Sequence, residues 1–370
     1  MDISEERETK RRKVSSNDNE VKKASVPNPI VTIQIANHPV LKQFIEVLEK
    51  ILETVKFFLV YKTADDDFSG LRVQTMNTGK TCMIQARFQT PLPEEVATLP
   101  DEEKSFALNA NSLANVLDIA EANEVVTMSV YQDKVWMDIR QPNGSSHGAN
   151  LFLPRVDYHE DVYNIRPMHF RYTVQFKQTL LKKQMKTYKK FDVEKLDFCL
   201  YKRKQETPTK QDDTEQFYFA FRGFYGGPDT IDNWYLSPLT SEKINNEENH
   251  SHLKGDTQLS VDANDELSYF FQDAHDGLDP SPAKVKELIQ ATPNLENMEE
   301  VYRETFNRSL LEHFTKGFEK FDLKIYIDKQ MPLILHYPVG ASSYIRFILM
   351  MLGKDDDDDE EQEEVTQGPL

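Results

Sequence analysis

The sequence lacks several features that common classes of protein require. Its 370 residues include only two cysteines, Cys82 and Cys199, which lie far apart in strand-like apolar runs, so a disulfide framework and a Cys-type zinc site are excluded. No apolar stretch approaches the roughly 20 residues that span a bilayer, and the amino terminus is charged rather than carrying an apolar signal core. These absences predict a soluble protein, without membrane contact, in a reducing intracellular compartment.

Familiar catalytic motifs are also missing. The chain contains no GxGxxG, P-loop, HExxH or GxSxG pattern, which removes the commoner signatures of nucleotide, zinc-protease and serine-hydrolase chemistry. Asp192 and Glu194 have the spacing of a two-metal nuclease pair but no obvious third carboxylate beside them. His250 and His252 lie in a polar stretch typical of solvated loops. We therefore predict that the protein is not an enzyme and has no catalytic residue, metal site or cofactor.

The balance of charge restricts any contact with nucleic acid. The net charge is −18, from 44 Lys and Arg against 62 Asp and Glu. A uniformly basic DNA-binding surface is therefore excluded, because attraction to phosphate needs clustered cations. Any contact with nucleic acid must be confined to one face of the molecule.

Both ends of the chain are polar and lack hydrophobic periodicity. Residues 1–26 contain a basic block at 10–14, of the kind that nuclear import receptors read, although such a block is as often only a solvated segment. Residues 355–361 are all acidic and repel one another, so residues 355–370 are predicted to form a disordered tail.

Between these ends, short β-like runs alternate with isolated amphipathic helices, and the alternation occurs twice. The helices are predicted from apolar residues at helical spacing, and the strands from runs rich in β-branched and aromatic residues. The predicted helices cover residues 40–55, 112–120, 176–190 and 304–320. The sequence therefore predicts an α+β fold of two similar domains, each with two helices packed on mostly antiparallel sheets.

Composition sets the boundaries of these domains. The predicted N-terminal domain covers residues 27–142 and the C-terminal domain covers residues 172–354, with a connector at 143–171 between them. Residues 237–297 are rich in Asn, Glu, Asp, His and Pro, which indicates a surface insertion in the second domain, with one helix at 283–290.

The most informative segment is the predicted helix at 176–190, whose lysines and apolar residues occupy opposite sides. The lysines fall within a sector of about 120°; they are Lys182, Lys183, Lys186, Lys189 and Lys190. Five cations on one surface of an anionic protein repel one another unless an anion faces them, and a phosphate backbone is the natural candidate. A solvated helix face is the alternative interpretation.

A weaker signal of the same kind follows, because Arg308, Lys316 and Lys320 share the polar face of the predicted helix at 304–320 with Glu312 and Glu319. No zinc-finger spacing or RNP aromatic pattern accompanies these cations. The predicted contact is therefore with the phosphates of double-stranded DNA, independent of base sequence and sensitive to salt.

Three segments resemble the proliferating cell nuclear antigen family of DNA sliding clamps, in that family's order. Residues 40–88, with Gly-Leu-Arg-Val-Gln-Thr-Met at 70–76, resemble the opening of a subunit. Residues 108–117 resemble the entry to its second helix, and residues 331–349 with the acidic end resemble its C-terminus. The resemblance implies the DNA clamp (processivity) fold, closed head to tail as a homotrimer into a pseudo-sixfold ring whose helices surround DNA.

The resemblance also implies roles for individual residues. It places the lysines above, together with Lys42 and Lys50 of the first helix, in the channel. It implies subunit contacts between edge strands at 135–140 and 230–237, with Val135, Met137, Ile139, Ile231, Trp234 and Leu236. It implies a groove for PIP-box-like peptides of DNA polymerase and other partners, lined by Met76, Met83, Tyr163, Ile165, Pro332, Ile348 and Leu349. Taken without the family, these groove residues are ordinary core.

The chain departs from the family pattern on its first two helices. Asn115 and Asp118 stand where relatives carry basic residues, and Glu46, Glu49 and Glu53 accompany the lysines of the first helix. The positive lining is therefore expected mainly from the second domain. Such divergence suits a clamp of a large DNA virus or a specialised subunit, which gives the nucleus or a viral replication compartment as the expected location.

Three hypotheses remain open from the sequence. The first is a replicative clamp that requires a clamp loader and raises polymerase processivity. The second keeps the fold but makes the chain a subunit of a DNA-damage checkpoint clamp or a herpesvirus-like processivity factor that does not trimerise. The third is an acidic nuclear adapter protein that does not encircle DNA.

Overall fold

The structure, a computed structural model, describes residues 28–64, 66–143, 148–158, 163, 167–190, 192–204, 216–225, 231–243, 253–261, 268–271, 297–318 and 320–350. Five helices lie among these residues: α1 (His38–Leu48), α2 (Glu95–Thr98), α3 (Ala110–Ile119), α4 (Gln178–Lys190) and α5 (Arg308–Thr315). The predicted tails, the basic block at 10–14 and the helix at 283–290 lie outside the described residues.

The same residues form eighteen strands. They are β1 (Val31–Ile35), β2 (Thr54–Val60), β3 (Gly70–Met76), β4 (Cys82–Gln89), β5 (Ser105–Asn109), β6 (Val125–Val130), β7 (Lys134–Arg140), β8 (Ala149–Pro154), β9 (Met168–Lys177), β10 (Lys195–Arg203), β11 (Phe217–Tyr225), β12 (Ile231–Lys243), β13 (Leu253–Val261), β14 (Ser268–Phe271), β15 (Met298–Asn307), β16 (Asp322–Ile327), β17 (Leu333–Pro338) and β18 (Tyr344–Leu349).

Counted in chain order, β1 to β8 belong to the first half of the chain and β9 to β18 to the second half, which gives eight and ten strands.

Local sequence explains these elements. In β1, Val31, Ile33 and Ile35 are buried while the residues between them are exposed, as one-sided burial of a strand requires. The Asn109 side chain accepts a hydrogen bond from the Ser112 amide at 2.9 Å and caps α3. The helix predicted at 112–120 therefore begins two residues earlier, at Ala110.

The two halves of the chain are joined by hydrogen-bonded strands rather than by the connector alone. Strand β18 pairs antiparallel with β4, so one continuous run of eight strands has the order β5-β2-β3-β4-β18-β17-β16-β9. We call this run the central sheet. Strand β13 continues it beyond β9 in parallel pairing, followed by β12, β11, β10 and β15. The predicted α+β class with mostly antiparallel sheets is confirmed.

The helices pack on one face of the sheets, in the pairs α1 with α3 and α4 with α5. Phe314 of α5 stacks on Phe347 of β18 with ring centroids 3.9 Å apart. Gly317, just after α5, lies beside Gln43 of α1, so the helix pairs of the two halves adjoin. We call this side of the central sheet the helix face, and the opposite side, where Tyr163 of the connector packs, the connector face.

Several predicted boundaries are wrong. The helix predicted at 304–320 begins at Arg308 and ends at Thr315, because the residues before it form strand β15, which pairs with β10. The connector predicted at 143–171 contains β8 and the start of β9. The predicted insertion at 237–297 contains the end of β12 and strands β13 and β14. Among the described residues, no helix has both the length and the apolar character needed to cross a membrane.

Candidate functional site

The exposed side of α4 carries the five lysines that the sequence singled out, which we call the lysine stripe (Lys182, Lys183, Lys186, Lys189 and Lys190). Leu181, Met185 and Tyr188 of the same helix are buried, whereas four of the lysines are exposed and Lys182 is half-buried. The pKa of Lys182 is lowered by partial burial and by the neighbouring ammonium groups of Lys186 and Lys316. The stripe is therefore a crowded cationic surface on the helix face.

Glu312 of α5 neutralises part of this cationic surface. Its carboxylate accepts hydrogen bonds from Lys189 Nζ at 3.0 Å and from Arg308 at 2.8 Å, and Lys316 Nζ lies 3.0 Å away. Burial by itself would raise the pKa of Glu312, but the three cations lower the pKa from 4.5 to about 2. The carboxylate therefore contributes stability above pH 4.5 that is lost as the pH falls towards 2.

Arg308 is held by contacts within the protein. Its guanidinium also donates to the Val193 carbonyl, and its side chain is only 12% exposed. This arginine ties the start of α5 to the turn after α4, so the structure gives it a positioning role. Among the cations predicted on this helix, Lys316 and the nearby Lys320 are exposed.

The lysines at the helices of the first half are paired with nearby carboxylates. Lys42 Nζ lies 2.7 Å from Asp118 and 3.9 Å from Glu46, and Lys50 pairs with Glu49. The two lysines predicted to face DNA here are therefore matched by carboxylates of their own half. The five cations of the lysine stripe lie on α4, in the second half of the chain.

The connector face carries an apolar cluster that includes four of the seven predicted groove residues. Met83 and Ile348 are buried in it, and Met76 and Tyr163 pack against it. The sequence missed further members of the cluster, which are Phe170, Tyr326, Ile334, Met168 and Met331. Period-two alternation in β16, β17 and β18 was the signal that could have found Tyr326 and Ile334.

The remaining three predicted groove residues have different positions. Leu349 is wrong as a groove residue, because it points to the opposite face of β18 from Ile348 and lies in the main core, 1% exposed. Pro332 is half-buried immediately before β17. Ile165 lies outside the described residues.

The predicted subunit edges do not match the strand pairing. Strand β7 lies between β6 and β8, and its Val135, Met137 and Ile139 are core residues at most 1% exposed, so 135–140 is not an edge. Within the described part of the chain, β8 pairs only with β7. Its Phe152 is 55% exposed and stacks on Trp136.

The second predicted edge, which contains Ile231, Trp234 and Leu236, is also covered within the chain. Strand β12 pairs with β11 along one side. Along the other side Trp234 and Leu236 pair with residues of β14, and the end of β12 pairs with β13. The insertion, rather than a neighbouring subunit, therefore occupies this side of β12.

The cysteines and carboxylates show no arrangement for catalysis in the described residues. Cys82 and Cys199 are buried and free, and burial raises the pKa of the Cys199 thiol to about 12. Within the ranges that the structure describes, no three His, Cys, Asp or Glu side chains are grouped so that they could hold a metal ion.

Comparisons with known proteins agree with this architecture. Residues 41–146 match the family model of the proliferating cell nuclear antigen, N-terminal domain. No curated protein sequence matches the chain. The crystal structure of Proliferating Cellular Nuclear Antigen from Entamoeba histolytica matches with a TM-score of 0.54 and 12% identity, over 88% of this chain and 100% of that chain. This likeness shows that the predicted DNA clamp fold is correct. Residues 41–146 are therefore similar to the N-terminal domain of proliferating cell nuclear antigen, and the chain as a whole shares the fold of that protein.

Proposed function

We propose that the chain is a clamp subunit that encircles duplex DNA and holds a polymerase on its template by topological linkage. The observation that carries this proposal is the lysine stripe, which concentrates five cations on the helix face of a protein with a net charge of −18. Lysine ammonium groups at this density suit phosphates and do not read bases. The protein acts as a scaffold, without catalytic chemistry or a cofactor.

The apolar cluster on the connector face supports a second part of the proposal. Methionines and aromatic rings adapt to different apolar side chains, so this face suits short peptides of polymerase and other replication or repair proteins. A clamp loader would open the ring around DNA. The protein would work in the nucleus or in a viral replication compartment.

Retention on DNA tests the encircling function. The loaded protein should remain on a circular plasmid and leave the same plasmid after linearisation, because a topological link is lost at a free end. A control variant with Lys62→Gln and Lys329→Gln removes two exposed loop lysines outside the lysine stripe. Like the parent protein, it should remain on the circular plasmid and leave the linear one. Equal retention on circular and linear DNA would contradict encirclement and favour the adapter hypothesis.

The pairing of β12 favours a second candidate, a clamp-fold subunit that does not close a homotrimer by itself. Strand addition between subunits needs an unpaired edge, and β14 pairs with β12 from Asn233 to Leu236. In this candidate the chain works with other subunits, as in a checkpoint clamp, or as a non-trimeric processivity factor.

Proline substitution in β14 separates the two candidates. Successive residues of a strand direct their N–H groups to opposite sides, so Tyr269→Pro with Phe270→Pro removes one N–H that faces β12. If β14 blocks assembly, light scattering should give 43.0 kDa for the parent chain and a larger mass for the variant. A trimer of the parent chain at low micromolar concentration would reject the second candidate.

A further inference from the structure

Strand pairing arranges the connector face of the central sheet into parallel rows of side chains. Two of these rows matter here, and each is defined by residues directly opposite one another on neighbouring strands. The apolar row contains Met76, Met83, Ile348, Ile334 and Tyr326. The arginine row contains Phe58, Arg72, Arg87, Tyr344 and Pro338. The two rows are four residues apart along the strands, which corresponds to about 13 Å.

The arginine row holds more positive charge than its neighbours balance. Arg72 and Arg87 lie directly opposite each other on β3 and β4, and like charges at such a position destabilise a sheet. Asp66 lies 3.0 Å from the Arg87 guanidinium. Among the residues that the structure describes, one carboxylate therefore serves two guanidinium groups, in a protein that is anionic overall.

Aromatic rings hold both arginines in place. Arg72 lies over Phe58 at 5.2 Å, and Arg87 lies between Phe68 at 5.0 Å and Tyr344 at 5.7 Å. The Nε atoms of both arginines are shielded from solvent and, among the residues that the structure describes, have no hydrogen-bond acceptor. Burial, followed by the charge of Arg87, lowers the pKa of Arg72. An additional carboxylate on this face would relieve the charge repulsion between the two guanidinium groups.

The row between these two also carries polar groups. Arg346 is 2% exposed, donates from Nε to His336 Nδ1 at 3.0 Å and lies under the Tyr344 ring at 3.8 Å. Burial and the charge of Arg346 lower the pKa of His336 well below its usual value, so this histidine stays neutral. It therefore adds no further positive charge beside the arginine row.

An acidic peptide fits this arrangement better than nucleic acid does. The half-buried members of the apolar cluster, Met76, Tyr163, Met168 and Met331, offer contacts to aliphatic and aromatic side chains, which a phosphate backbone lacks. The lysine stripe on the helix face is the surface proposed to meet DNA, and the arginine row is on the other face of the sheets. An extended peptide rises about 3.3 Å per residue, so a carboxylate about four residues from an apolar anchor reaches the arginine row.

We propose, building on the partner-docking function above, that Arg72 and Arg87 bind an Asp or Glu side chain of a partner peptide whose apolar anchors pack against the half-buried end of the apolar row at Met76. The arginines are specificity residues: they select partners with a carboxylate about four residues from the anchors. The selection runs against the overall charge of the protein, which by itself favours basic partners.

Fluorescence anisotropy with matched synthetic peptides tests the proposal. The peptides carry the same Leu and Phe-Phe anchors and differ only in Glu-Glu or Gln-Gln placed four residues before or after them. The parent protein should bind at least one Glu-Glu peptide about tenfold more tightly than its Gln-Gln partner. Arg72→Gln with Arg87→Gln should remove this preference and leave binding of the Gln-Gln peptide unchanged.

Control variants separate a local effect from general electrostatics and from misfolding. Arg140→Gln removes an exposed arginine on β7 and should keep the preference. Arg72→Lys with Arg87→Lys preserves the positive charge and should keep part of the preference for the Glu-Glu peptide. Equal binding of both peptides by the parent protein would reject the arginine site while leaving partner docking intact. Absence of binding by either peptide would reject partner docking and the arginine site together.

Discussion

Replacing the five lysines of the lysine stripe with glutamine should weaken DNA binding at least about 100-fold at low salt. Each ammonium that contacts a phosphate releases counterions on binding, so the slope of log K against log salt concentration should become shallower by about 4 per subunit. The measurement is fluorescence anisotropy on a labelled duplex across a series of salt concentrations. Glutamine keeps a good helix former at each position, and the mass by light scattering should not change.

Glu312→Gln is a control that should change DNA affinity in the opposite direction. Its carboxylate holds Lys189 and lies 3.0 Å from Lys316, so its removal should leave more positive charge for phosphate and strengthen DNA binding. The same variant should lose less stability between pH 4.5 and pH 2 than the parent protein. If the five-lysine variant binds DNA as well as the parent protein does, the stripe is only a solvated helix face.

Phe347→Ala should lower the free energy of unfolding by about 3–5 kcal/mol. Phe347 is fully buried, stacks on Phe314 of α5 and lies on β18, the strand that joins the second half of the chain to β4 of the first. The substitution opens a cavity between the helix layer and the central sheet. Urea unfolding followed by circular dichroism measures the loss.

Phe152→Ala is the matched control for this prediction. Phe152 is also a strand phenylalanine but is 55% exposed, so its removal should cost less than about 1 kcal/mol. Equal losses for the two variants would show that Phe347 does not occupy a critical place in the core. A large loss for Phe152→Ala alone would indicate that the free side of β8 is buried in an assembly.

Local pattern was enough to find α4 and its two sides. Leu181, Met185 and Tyr188 recur at helical spacing and are buried, and the lysines between them are on the outside. The same reasoning failed for the segment before α5, because Phe306 is spaced from Leu310 as on a helix but belongs to β15, whose ladder with β10 decides its conformation. Propensity is a weak guide where long-range pairing satisfies the backbone.

The edges of the sheets could not be predicted from the sequence. Val135, Met137 and Ile139 alternate as any half-buried strand does, and alternation does not tell how many neighbours a strand has. Strand β8, which makes β7 an interior strand, lies in a segment that looked like a connector. Strands β13 and β14, which cover one side of β12, come from a polar insertion.

The sequence by itself determined the α+β class, the two-sided character of α4 and the concentration of its lysines on one side of that helix, because periodicity and charge are properties of neighbouring residues. Only the tertiary structure decided which strands are edges. It also decided that Glu312 contacts three cations and that Arg72 and Arg87 lie opposite each other on the neighbouring strands β3 and β4. Those features depend on the register between segments far apart in the chain, and register is set by the packing of the whole sheet.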